Sequence, residues 1–127
     1  MYERNKLTIE DEIDFMQKVF DNYKRTKARK TADYGGLKHY RLGLIGHASD
    51  IARKTERLVN LVIRKGNMHI DDLSKNEETV EDTVNDLLGY AIMMLHEIAI
   101  QKHERKLKVR RKKYRLLHDT EANNELS

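Results

Sequence analysis

Glu78, Asp82 and Asp86 stand at i, i+4 and i+8, so on a helix they fall in one stripe, and Tyr90 extends that stripe by a further turn. Three aligned carboxylates repel one another. At the margin of an apolar segment such a row is best explained by a cation, and an all-oxygen ligand set suits Mg²⁺ or Mn²⁺ rather than zinc. The competing reading is an ordinary solvated face, because acids in the first turns of a helix complement its dipole.

A second set lies upstream. His47, Asp50, Lys54 and Arg57 form a polar stripe set away from the apolar positions of their own segment, and their cations are suited to phosphate oxygens. A plain surface with Asp50 and Lys54 as an i, i+4 ion pair reads equally well. The six histidines show no HxxxH spacing, and the chain has no cysteine, so zinc sites, thiol nucleophiles and disulfides have no support. There is no GxxxxGK[ST] or GxSxG, and Gly43 and Gly46 do not complete a GxGxxG. Covalent catalysis has no candidate.

The elements that must hold these groups read as helices. Thr8 and Asp11 have capping-box spacing, and Ile9, Ile13, Met16 and Phe20 then recur at helical intervals, predicting a first helix over about 9–29. Asp33-Tyr34-Gly35-Gly36 predicts a turn, followed by a loop of roughly ten residues. Leu44, Ile45, Ala48, Ile51, Ala52, Leu58, Val59 and Val62 share one apolar face, predicting a second helix with Gly66 as its C-cap. Ser74 and Glu77 offer another capping box, and a third helix is expected from near 77 to beyond 100. Its stretch Leu87 to Leu95 is apolar on every side, which calls for cover on every side, from a fourth helix made by the C-terminal arm or from a second subunit. A homo-oligomer, dimer or tetramer, is the expectation.

Composition narrows the frame to one domain. The chain has 127 residues, no proline and six glycines, too few breakers for a many-stranded β protein. Hydrophobic residues at 39% against charged ones at 36% predict a small core under a charged surface. No apolar run approaches the roughly 20 residues that cross a bilayer, so a soluble, intracellular protein with no membrane partner is expected. The net charge of +4 is uneven, since residues 102–115 hold nine Lys or Arg against one acid, Glu104, leaving the rest at −4. That basic arm suits nucleic-acid phosphates, or simply a solvated helix end opposing the macrodipole. The organisation read here is a flexible N-terminus (1–7), a helical body (8–101), a basic helical extension (102–117) and a disordered tail (118–127).

The segments ARKTADYGG (28–36), IARKTERLVNLV (51–62) and ETVEDTVNDLLGYAIMML (78–95) resemble the nucleotide modification associated domain of the first type, a family common in phage genomes. The shared pattern is a K-x-x-DYG turn, a K-x-x-RL helix and E-x-x-x-D-T-x-x-D-L-x-x-Y, over roughly 24–98. That domain is similar to the all-α MazG-like and dimeric dUTPase-like nucleoside triphosphate pyrophosphatases. The resemblance implies an all-α bundle of three or four long antiparallel helices completed by oligomerisation, in the cytoplasm of a bacterial host. It also implies Mg²⁺ on Glu78, Asp82 and Asp86, phosphate contacts from Lys54 and Arg57, and Asp33 and Tyr34 at the rim, with Tyr90 beside the substrate. Three features depart from the pattern. Arg53 replaces an acid, Gly89 replaces an asparagine, and the Ser-aromatic pair after DYG is missing.

Three functions follow. The first is a Mg²⁺-dependent nucleotide pyrophosphohydrolase in which Glu78 or Glu81 orients the attacking water and Lys54 and Arg57 neutralise phosphate charge. The second is a module that sequesters a nucleotide or signal nucleotide without turnover, as Arg53 and Gly89 suggest, of an anti-defence type if phage-encoded. The third is a nucleic-acid-binding helical protein acting through 102–115.

Overall fold

The protein is described by a computed structural model covering residues 4–34 and 38–126, with side chains over 4–29 and 40–119. Its described residues are about 92% helical and contain no strand, so the chain is all-α. They fall into two compact units, residues 1–38 and 39–127.

The first unit is built on α1 (Ile9–Tyr34), preceded by a short 3-10 turn at Arg4–Lys6. The capping box forms as its spacing suggests: the Thr8 N–H donates to Asp11 Oδ2 at 3.0 Å, and the Asp11 N–H donates to Thr8 Oγ1 at 3.2 Å. Two otherwise unpaired donors are thereby satisfied. The helix runs five residues beyond the expected end at 29, taking Asp33 and Tyr34 into its last turn. The reason is chemical, since residues 24–34 contain no glycine or proline and hold good helix formers. The Gly35-Gly36 turn lies outside the described residues. Ile9, Ile13, Phe15 and Met16 are exposed.

The second unit is an antiparallel helical hairpin. A 3-10 turn (Lys38–Leu42) leads into α2 (Gly43–Leu58), which widens to one π turn at Val59–Ile63 and stops at Gly66. Gly66 adopts φ +63°, and its N–H donates to Ile63 O at 3.0 Å, so it is the expected C-cap. Asn67 completes the stop by donating Nδ2–H to Leu61 O at 3.1 Å. A second 3-10 turn (Ile70–Asn76) precedes α3 (Glu77–Leu126). The Ser74–Glu77 capping box does not form. Asp72 takes that role for the 3-10 turn, accepting the N–H groups of Met68 and His69 at 3.2 and 3.1 Å. Ser74 instead carries the joint between the turn and α3, at φ 54° and ψ −127°.

α3 is 50 residues long and absorbs the basic arm, which continues the same helix rather than folding back as a fourth one. Residues 90–126 include no glycine or proline to stop it. Helical backbone extends to Leu126, past residue 117 where the sequence suggests a tail.

The pairing of α2 with α3 bears on two expectations. The side of α2 turned to α3 mixes polar and apolar positions: His47 is fully buried and the Lys54 side chain is only 12% exposed, with Ile51 and Leu58 half-buried beside them and Arg57 exposed. The N-terminal half of the expected core face is open, with Ile45 75% exposed. Likewise, the apolar stretch 87–95 of α3 is not enclosed. Met93 is its one fully buried apolar side chain among the described residues, while Ala91 and Leu95 are exposed. A hairpin covers one side of each helix, so a helix apolar all round keeps an open side.

Candidate functional site

The seam between α2 and α3 gathers part of the polar set of both sequence motifs. Lys54 Nζ lies 2.8 Å from Asp86 Oδ2. One turn away along α3, Tyr90 shares a hydrogen bond with Arg53, whose guanidinium also donates to Asp50 Oδ1 at 3.3 Å. Those bonds, first to Asp50 and then to Tyr90, raise the pKa of Arg53 above its usual value and hold it charged. The Asp50–Lys54 pair expected along α2 is therefore replaced. Asp50 pairs with Arg53, and Lys54 reaches across to α3.

Deeper in the seam, Thr83 is 1% exposed and donates Oγ1–H to Thr79 O at 2.6 Å. A small side chain that closes its own hydroxyl onto the preceding turn lets the helices approach between the charged pairs. Toward the start of α2, His47 packs against the edge of Tyr40, with ring centroids 5.0 Å apart. The Tyr40 hydroxyl in turn lies 2.9 Å from His96 Nδ1. Neither ring nitrogen of His47 has a hydrogen-bond partner among the described residues. Tyr40, Thr83 and His96 were not singled out by sequence spacing. Thr83 could have been, because it occupies the threonine position of the E-x-x-x-D-T pattern.

The remaining expected site residues divide. Glu78, Glu81 and Asp82 are exposed on the first turns of α3, and Arg57 is exposed at the end of α2. The side chains of Asp33 and Tyr34 lie outside the described residues. The carboxylate stripe does not form a metal centre: no group of three His, Asp or Glu converges to hold an ion among the described residues. Carboxylates at i, i+4 and i+8 are about 6 Å apart per step along the axis, so they converge on one ion only if a facing helix supplies further oxygens. Here the facing helix supplies Lys54, a cation. The donor set of one chain therefore does not fit Mg²⁺ or Mn²⁺.

A groove of about 570 Å³ opens elsewhere in this unit, lined by Leu44, Glu97, Gln101, Lys102, Arg105 and Lys108 among others. It does not include the Lys54–Asp86 pair, and chemistry rather than concavity makes the α2–α3 seam the better candidate. Gly43, at φ +60°, sets the start of α2 against this groove, where a β-carbon would lie 3.5 Å from Glu97 Oε1.

No family model, curated protein or solved structure matches this chain. The charged and hydrogen-bonding side chains of this unit meet in the α2–α3 seam. Two cations, a tyrosine and two carboxylates there come from separate helices, an arrangement able to bind an anion by exchanging internal ion pairs for contacts with it. No helix is long and apolar enough to cross a membrane among the described residues.

Proposed function

We propose that this protein binds a nucleotide through the polar seam between α2 and α3, and retains it without hydrolysis. The observation that carries this reading is the Lys54–Asp86 pair, because it brings the K-x-x-R-L segment of α2 onto the D-L-x-x-Y segment of α3. Arg53 and Lys54 bear on the phosphates, Arg57 extends the positive edge, and Tyr90 orients the guanidinium of Arg53. Arg53 stands where the resembled family has an acid, so it subtracts a metal ligand and adds a phosphate contact. Binding then needs no divalent ion.

The second reading, a Mg²⁺-dependent nucleotide pyrophosphohydrolase, is favoured by one observation. Glu78 and Asp82 are exposed on the stripe of Asp86 and accept no hydrogen bond or ion pair among the described residues. Their oxygens are open to a metal only if another chain completes the ligand set.

Incubating the protein with a nucleotide pool, with Mg²⁺ and with EDTA, then analysing bound and free fractions by mass spectrometry, separates the two. The binding reading expects one intact nucleotide retained in both conditions and lost from Arg53→Ala. Pyrophosphate release that requires Mg²⁺ and disappears in Asp82→Asn establishes the second instead. No retention and no turnover removes both.

A further inference from the structure

α3 carries a seam on the side turned away from α2. Val84, Leu88, Ala91, Leu95 and Ile98 follow one another at intervals of four and three, the heptad spacing of a helix that packs along a second helix. The structure leaves this row open: Val84 is 50% and Leu95 68% exposed, Ala91 is exposed, and Leu88 and Ile98 are half-buried. The same spacing continues at both ends with opposite charge, Glu77 and Glu81 before the apolar row and Lys102 and Arg105 after it.

We propose that this seam is the self-association surface of the protein, on which α3 of a second copy lies antiparallel. Charge decides the direction. A parallel pair would set the Glu77–Glu81 turn against its own copy and Lys102–Arg105 against theirs, whereas an antiparallel pair brings acid to base at both ends. The alignment that places Glu81 opposite Arg105 also places Leu88 opposite Ile98 and Ala91 opposite Leu95. Ala91 then faces Leu95, small against large, and Leu88 faces Ile98, with Val84 opposite Lys102 at the margin.

Val84 and Leu95, 50% and 68% exposed, are large apolar side chains that a partner helix on this row would cover. The antiparallel copy also lays its basic residues beside the acidic first turns of α3, offsetting the repulsion along the carboxylate stripe without a metal. None of this depends on the nucleotide reading.

The chain has no cysteine, so introduced thiols report pairing directly. A tagged Glu81→Cys variant and an untagged Arg105→Cys variant are mixed, equilibrated and oxidised, and the mass of the unmodified protein is measured by light scattering. The expected result is a mass of at least two chains and a mixed disulfide in roughly tenfold excess over either homodimer, because bridged Cα atoms must lie within about 7 Å. Ala91→Cys mixed with Leu95→Cys should behave alike, which guards against loss of association from the altered charges. A preponderance of Glu81→Cys homodimer would mean parallel pairing, and a monomeric mass would give the seam to another segment of the chain. Either outcome overturns the proposal.

Discussion

The ammonium of Lys54 and a carboxylate oxygen of Asp86 meet at 2.8 Å across the α2–α3 seam, but the two ends are unequally placed, one side chain 12% exposed and the other 42%. The Lys54 side chain is largely surrounded by protein, whereas Asp86 keeps access to water.

That asymmetry sets the order of two substitutions. Asp86→Ala leaves an ammonium short of a partner in the seam and should lower stability by about 1–2 kcal/mol. Lys54→Met keeps the apolar stem and leaves a carboxylate that water can solvate, so it should cost less than about 1 kcal/mol. Urea unfolding midpoints of the two variants, measured at equal slope, give the comparison. A larger loss for Lys54→Met would contradict the placement of the pair.

Arg53 leads to an expectation about pH. Its hydrogen bonds to Asp50 and Tyr90 raise its pKa in the folded chain above the unfolded value. A raised pKa gives stability that is fully present below the unfolded value and is lost only as pH climbs through the folded one. For an arginine that window lies beyond about pH 12. The stability difference between the parent chain and Arg53→Gln should therefore stay constant from about pH 6 to about pH 9. A difference that changes over this interval would assign the bonds to some other titrating group.

Two backbone positions predict effects of opposite sign. Gly66 has φ +63° with nothing within 4 Å of an added β-carbon, so Gly66→Ala costs backbone strain alone, about 1 kcal/mol. Ser74 adopts φ 54° and ψ −127°, a conformation that glycine tolerates and side chains resist. Ser74→Gly should raise stability by up to about 1 kcal/mol. Thermal melts of both variants test the signs, and a stabilising Gly66→Ala would refute the cap.

At the other end of the chain, Thr8→Ala removes the acceptor for the Asp11 N–H. The expected cost is about 1 kcal/mol of α1 stability. Hydrogen exchange of amides in the first turns of α1 should speed up while those of α3 stay unchanged. Uniform acceleration across both helices would show that the cap serves the whole fold instead.

Where the helices begin and stop was legible because local residues decide it: Thr8 and Asp11 satisfy neighbouring donors, Gly66 takes a positive φ, and the stretch after Glu77 holds no proline and a single glycine, Gly89. The length of α1 beyond residue 29 and the uninterrupted course of α3 belong to the same local chemistry, since residues 24–34 and 90–126 hold no glycine or proline. The stripe of Asp86 and Tyr90 was also visible, because a helical period fixes which side chains share a face. Which face turns inward was not. A segment with an apolar side and a polar side does not reveal its neighbour, and only the approach of α3 set Lys54 on Asp86 and Arg53 on Tyr90 while leaving Ile45 and Leu95 open. Sequence determined the helices and the rows of side chains along them, since those depend on residues a few positions apart. Tertiary structure decided which rows meet, since that depends on the balance of burial and charge between residues more than thirty positions apart.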